Sequence, residues 1–121
     1  MSEKIKILYV DDEKINLQLF RINLSKKYDI LLAEEGLQGL DILAANRDVA
    51  VVVSDMKMPI MNGVEFIKEA KLKHPEINYF ILTGYEITEE IEEALSSGLI
   101  LKYFRKPFDM GEVDSAIHNV I

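Results

Sequence analysis

The stretch VVVSDMKMPIMNGVEF, Val51 to Phe66, decides the fold. Three valines and a serine form a run apolar enough for the middle of a core, yet the run ends at an acid, Asp55. Pro59 and Gly63 follow within eight residues. An unpaired carboxylate inside a core strand is strongly unfavourable, so the reading places Asp55 just past the strand's end. Met58 and Pro59 then shape a loop, and Gly63 eases the turn into a helix carrying Val64, Ile67 and Lys71 at helical spacing.

Outward from this stretch the same alternation repeats. Short apolar runs occupy Ile5 to Val10, Ile30 to Ala33, Ala50 to Ser54, Tyr79 to Thr83 and Ile100 to Phe104. Between and after them, residues recur at helical spacing: Leu17, Phe20 and Leu24; Leu37, Leu40 and Leu43; Ile87, Ile91 and Leu95; Met110, Val113, Ile117 and Val120. Asp109 and Glu112 have capping-box spacing at the last of these. Strand and helix alternating five times predict an α/β domain, a doubly wound parallel sheet with helices on both faces. ILYV and AVVV are apolar throughout and read as central strands, whereas LILKYFRK mixes charge into its run and reads as an edge.

The bulk numbers narrow the function. A chain of 121 residues suits one domain, 1–121, and 49% hydrophobic content suffices for its core. Twenty-one acids against 14 bases, a net charge of -7, argue against nucleic acid as a direct partner. The absence of cysteine removes disulfides, thiol catalysis and thiolate metal sites. No membrane span or signal peptide is evident in the sequence, so a cytoplasmic protein with no membrane partner is expected.

In a sheet of this kind the active groups lie beyond the carboxyl ends of the strands. There stand Asp11, Asp12 and Glu13 after the first run, Asp55 after the third, Thr83 and Gly84 after the fourth, and Lys106 and Pro107 after the fifth. Gathering the three aspartates costs about 4 kcal/mol per pair at about 4 Å, with an effective dielectric near 20, so positive charge must offset it. Lys106 supplies one charge, and a nest of carboxylate oxygens also suits Mg²⁺ (or Mn²⁺), which takes one or two carboxylates together with phosphate oxygens. Such a site points to phosphoryl transfer, in which a carboxylate can be the nucleophile. Asp11 and Asp12 read as metal acids, and Asp55, alone at the end of a central strand, as the phosphoryl acceptor.

Four motifs then stand in order: VDDE at Val10 to Glu13, SDMKMPIMNG at Ser54 to Gly63, LTG at Leu82 to Gly84, and KPF at Lys106 to Phe108. With them the chain resembles, over essentially its whole length, the receiver domain of two-component response regulators. The resemblance implies a flavodoxin-like three-layer sandwich, (βα)5, with strand order 2-1-3-4-5. It implies that Asp55 takes phosphate from a phosphohistidine on a sensor histidine kinase or histidine phosphotransfer protein. Asp12, Asp55 and the Lys57 backbone carbonyl would bind the metal, with Asp11 acting through metal-bound water. Lys106 would pair with phosphate oxygens, its peptide bond to Pro107 being cis. Thr83 and Tyr103 would be the switch pair, remodelling the face formed by the fourth helix, fifth strand and fifth helix. The domain would catalyse only its own phosphotransfer and slow autodephosphorylation, so it is not expected to be an enzyme. Lys57 and Tyr85 would tune the phosphorylated lifetime, bulky Tyr85 by screening the phosphorus from water. The chain would be a stand-alone receiver or a domain of a longer regulator with an output domain or effector, and a homodimer on phosphorylation is compatible with it.

Other readings fit less well. A phosphatase of the haloacid dehalogenase type wants a second acid two residues after its nucleophile, where Lys57 stands. A flavodoxin-like electron carrier wants a hydroxyl- and glycine-rich loop where DDEKIN stands, and Gly36 and Gly39 make no dinucleotide fingerprint. A receiver acting by contact alone would not need the intact acceptor, acids, threonine and lysine. Ile15, Leu19 and Ile22 form a second apolar stripe on the first helix, open to two readings: partner docking, or burial over a broad face. The acid run Glu86, Glu89, Glu90, Glu92 and Glu93 is open to two readings, first a solvated face and second a surface that selects a basic partner. His74 and His118 read as surface residues.

Overall fold

The computed structural model describes residues 4–84, 86–107 and 109–121. Five strands alternate with five helices: β1 Lys6–Val10, α1 Lys14–Leu24, β2 Asp29–Ala33, α2 Gly36–Ala45, β3 Val49–Asp55, α3 Gly63–Lys73, β4 Asn78–Thr83, α4 Glu89–Ser96, β5 Lys102–Arg105 and α5 Met110–His118. All paired strands are parallel, in the order β2-β1-β3-β4-β5. The central place of β1 and β3 and the edge place of β5 agree with the sequence reading.

Successive strand residues point to opposite faces, and this period divides the core in two. Leu8, Val10, Val52, Tyr79 and Ile81 face α2, α3 and α4, packing with Leu43, Phe66, Ile67 and Ile91. Ile7, Tyr9, Val51, Val53, Phe80, Leu82 and Phe104 face α1 and α5, packing with Leu17, Phe20, Val113 and Ile117. On this second side the Lys27 ammonium and the Tyr28 hydroxyl both donate to Asp114, joining the end of α1 to α5. Among the described residues no helix is long and apolar enough to cross a membrane.

Several local expectations are corrected. Asp55 is the last residue of β3, paired with Leu82, and does not lie beyond the strand; a charged partner, described below, allows the strand to carry it to its end. In α2 the buried positions are Gly36, Gly39 and Leu43, and Leu37 is 53% exposed. A Cβ on Gly39 would meet Phe66 Cε1 at 2.9 Å and Val10 Cγ2 at 3.2 Å, so the helix lies against its neighbours through glycines; Leu43 stays buried and Leu40 packs against the core, while Leu37 turns outward. Ile87 precedes α4, Ile91 and Ala94 form its buried face, and Leu95 is exposed. Asp109 caps α5 through the Gly111 amide at 2.8 Å. The full capping box is instead at α3, where the Asn62 side chain and the Glu65 amide are joined at 2.9 Å and the Glu65 side chain returns to the Asn62 amide. His74 is buried: it caps the C-terminus of α3, and its carbonyl accepts the Tyr79 hydroxyl at 2.9 Å, folding this turn onto β4. His118 is exposed, as expected.

Gly63 has a different role from the one expected of it. It is the first residue of α3, its amide donates to Met56 O at 2.8 Å, and a Cβ there would press on the Asp55 carbonyl oxygen and on Ile81 Cδ1 at 2.7 Å. What the position requires is close approach of the helix start to the end of β3.

Candidate functional site: an acid nest at the carboxyl edge of the sheet

The carboxyl ends of β1, β3, β4 and β5 meet at one edge. Asp11 follows β1 directly, and its amide donates to Ala33 O at 3.1 Å, holding it in register with β2. Asp55 ends β3, Thr83 ends β4 and Lys106 follows β5. The Lys106 amide donates to Thr83 O at 2.7 Å, which ties the turn after β5 to the end of β4. The Lys106–Pro107 peptide is cis.

Asp11, Asp12 and Asp55 each offer a carboxylate oxygen, and these oxygens lie within 4.8 Å of one another. Asp11 and Asp55 are buried and Asp12 is exposed, so the nest has a closed floor and one acid toward solvent. Lys106 Nζ sits 3.0 Å from Asp55 Oδ1 and 4.0 Å from Asp11 Oδ2. The open cleft above is lined by Asp12, Glu13, Asp55, Lys57, Met58, Pro59, Gly84 and Lys106. A hard divalent cation prefers such an all-oxygen set with open positions, and three acids against one ammonium leave negative charge for it to neutralise. The residues fit a divalent ion.

The electrostatics follow from burial. Desolvation pushes the Asp55 carboxyl up, the Lys106 hydrogen bond pulls it down and the Asp11 charge pushes it up again, leaving it at about 6. For Lys106, burial lowers the affinity for a proton, but the bond to Asp55 and the charges of Asp55, Asp11 and Glu13 outweigh it, and the ammonium titrates above its ordinary value. Near neutral pH Asp55 is thus largely an ionised carboxylate beside a firmly protonated lysine.

Two residues of the site escaped the sequence reading. The Tyr9 hydroxyl donates to Asp11 Oδ2 at 2.5 Å, and the Asn16 amide of α1 donates to the same oxygen at 3.2 Å. The Glu13 amide donates to Asp11 Oδ1 at 2.9 Å. Burial, then the adjoining Asp11 charge, keeps the Tyr9 phenol protonated far into alkaline pH. A signal was available, since Asp11 directly follows β1 and stands two residues after Tyr9, the spacing that returns an extended chain to the same face. A third residue, Asn62, reaches from the α3 cap to Glu90 Oε1 of α4 at 3.1 Å.

Thr83 is buried at the end of β4. Tyr103, in β5, is half-buried and packs against the α3 and α4 side of the core. Lys57 is exposed in the loop after β3 and lines the cleft. Ile15, Leu19 and Ile22 are 65%, 48% and 71% exposed, which excludes their burial over a broad helix face. Tyr85 and the Phe108 of the last motif lie outside the described residues.

Comparison with known proteins agrees with this geometry. The family model for the response regulator receiver domain matches residues 7–118. The chain belongs to that family. This receiver domain is 37% identical over 113 residues to Sporulation initiation phosphotransferase F of Bacillus subtilis strain 168, covering 93% of this chain and 90% of the relative. It is 31% identical over 121 residues to a Chemotaxis protein CheY homolog of Campylobacter jejuni, covering 97% and 92%. A solved response regulator receiver domain protein from Clostridium thermocellum superposes with a TM-score of 0.91 at 34% identity, covering 97% of this chain and 94% of that one. The fold of the receiver domain is therefore that of its family, with phosphorylation-dependent signalling as the family's work.

Proposed function

We propose that this receiver domain is a phosphorylation-activated switch whose acceptor is Asp55 and whose donor is a phosphohistidine on a sensor histidine kinase or phosphotransfer protein. One observation carries the reading: three carboxylates within 4.8 Å of one another beside an ammonium 3.0 Å from the Asp55 oxygen. Structural carboxylates rarely gather against their own repulsion, and an acceptor site needs both signs of charge.

In the transfer, an Asp55 carboxylate oxygen forms the new bond to phosphorus as the donor's phosphorus–nitrogen bond breaks. The electron pair leaves with the imidazole, which takes a proton from solvent. Lys106, released from part of its pairing with Asp55, follows the charge onto the phosphoryl oxygens. Asp12, Asp55 and the Lys57 carbonyl would hold Mg²⁺ or Mn²⁺, with Asp11 acting through water, and the ion would supply charge neutralisation at the transferring group. Thr83 then hydrogen-bonds the phosphoryl group, and half-buried Tyr103 turns inward beside it. The Asn62–Glu90 bond supports a path from the acceptor loop to α4, and the α4, β5 and α5 face carries the change to an output domain, effector or second copy. The reaction modifies the domain itself, with slow autodephosphorylation as its reset, so it is a switch and not a turnover enzyme. Its setting is the cytoplasm.

Labelling with acetyl phosphate tests the proposal. Wild type is expected to take up one phosphoryl group with added magnesium, to lose labelling in a chelator, and to lose it in Asp55→Asn. Wild type that stays unlabelled with magnesium present would overturn the reading.

A further inference from the structure

We propose that Tyr9 is a positioning residue for the metal acids: its hydroxyl occupies Asp11 Oδ2 and thereby keeps Lys106 committed to Asp55. The inference rests on the acceptor-site reading above and assigns a role to a residue in the second layer of that site.

The geometry is a competition for one oxygen. Asp11 Oδ2 takes the Tyr9 hydroxyl at 2.5 Å and the Asn16 amide at 3.2 Å, with Lys106 Nζ 4.0 Å away. Lys106 instead bonds Asp55 Oδ1 at 3.0 Å. Asp11 is wholly buried, so losing a donor from Oδ2 is costly. Without the phenol, the nearest strong donor for Oδ2 is the ammonium. Lys106 would then move toward Asp11, leave the acceptor, and bring positive charge into the space between the acids where a cation must bind. The carboxylate would also lose the anchor that fixes its plane, since only the Glu13 amide on Oδ1 and the longer Asn16 bond remain. The ring that carries the hydroxyl is itself fixed: Tyr9 is fully buried and stacked on Phe20 of α1, with centroids 4.1 Å apart and planes 12° from parallel.

Replacing an outer partner of a metal ligand typically weakens metal affinity by roughly 10- to 100-fold. Tyr9→Phe keeps the stacked ring and removes only the hydroxyl. We expect its half-saturating Mn²⁺ concentration, read by electron paramagnetic resonance of the unphosphorylated protein, to rise about tenfold or more. The magnesium concentration giving half-maximal acetyl phosphate labelling should rise in parallel, while the rate at saturating magnesium stays within about threefold of wild type. In an Asp11→Ala background the same change should move the metal midpoint less than about twofold, because Tyr9 acts through Asp11. A general packing defect would lower thermal stability in both backgrounds without this dependence. An unchanged metal midpoint in Tyr9→Phe beside a wild type that binds metal would overturn this inference and leave the acceptor reading standing. An equal shift in the Asp11→Ala background would overturn it as well. A wild type that binds no metal and takes no label would overturn both.

Discussion

Ile60 sits in the loop after β3 at a φ of 71°, a region that a β-branched residue rarely adopts. The Met61 amide donates to Pro59 O at 2.7 Å, closing a three-residue turn with Ile60 at its centre. The side chain is 88% exposed, so it gains almost nothing from packing. Strain of this kind costs of order 1–3 kcal/mol, whereas glycine in its place adds about 0.5–1 kcal/mol of chain entropy to be lost on folding. Relief therefore wins: Ile60→Gly is expected to stabilise the protein by roughly 1 kcal/mol, read as a higher urea midpoint with unchanged slope. A lower midpoint would show that the turn is not strained. The loop keeps this turn while Met58, two residues earlier, is buried against the core, so its course past Asp55 is fixed at both ends by packing and by the Gly63 amide bonded to Met56 O.

At the scale of the element, α1 has two apolar faces with different fates. Leu17, Phe20 and Leu24 are buried against the sheet, whereas Ile15, Leu19 and Ile22 remain exposed. The exposed stripe begins one turn from the acid nest, where, on the proposed function, a donor protein would bring its phosphohistidine. Leu19→Ser is accordingly expected to slow phosphotransfer from a phosphohistidine donor protein about tenfold, with acetyl phosphate labelling unchanged. Equal slowing with both donors would assign the stripe to folding and not to docking. The two stripes also show what the sequence could reveal. Strands were legible because short continuous apolar runs stand out when they alternate with stretches of helical spacing, and the carboxyl-edge rule then selected Asp11, Asp12, Asp55, Thr83 and Lys106 without any contact being known. Helix faces were less legible. In α2 the buried face is set by Gly36 and Gly39, residues that carry no hydrophobic signal. His74 is buried by a turn whose packing depends on Tyr79 from the next strand. Tyr9 hid within ILYV, where an aromatic ring reads as one more apolar residue until the hydroxyl's partner is seen.

For the molecule as a whole, the site is a cost to stability that folding elsewhere must offset. Asp55 titrates near 3.8 when unfolded and at about 6 in the folded protein, through burial first, the opposing Lys106 bond second and the Asp11 charge third. Between these values the folded protein binds more protons than the unfolded chain, so this group's contribution to stability falls as pH rises through the window. Its full cost is present above about pH 6 and absent below about pH 3, with an upper limit of about 3 kcal/mol for a shift of about two units. Asp55→Asn removes the charge while keeping the shape. In chelator it is expected to raise the unfolding free energy at pH 7.5 by about 1–3 kcal/mol, toward the lower figure because Lys106 loses its ionic partner. The difference from wild type should shrink to below about 1 kcal/mol at pH 4, where Asp55 is protonated in the folded protein and only partly ionised in the unfolded chain; other carboxyls titrate in both proteins and cancel. Magnesium should narrow the gap at pH 7.5, since an ion bound only by the folded wild type stabilises it by mass action. Urea unfolding of the two proteins at pH 4, 6 and 7.5, with and without the ion, measures every part of this. An Asn variant less stable than wild type at pH 7.5 in chelator would mean that the Asp55–Lys106 pair outweighs the burial of the acid, and that Asp55 is held at no cost.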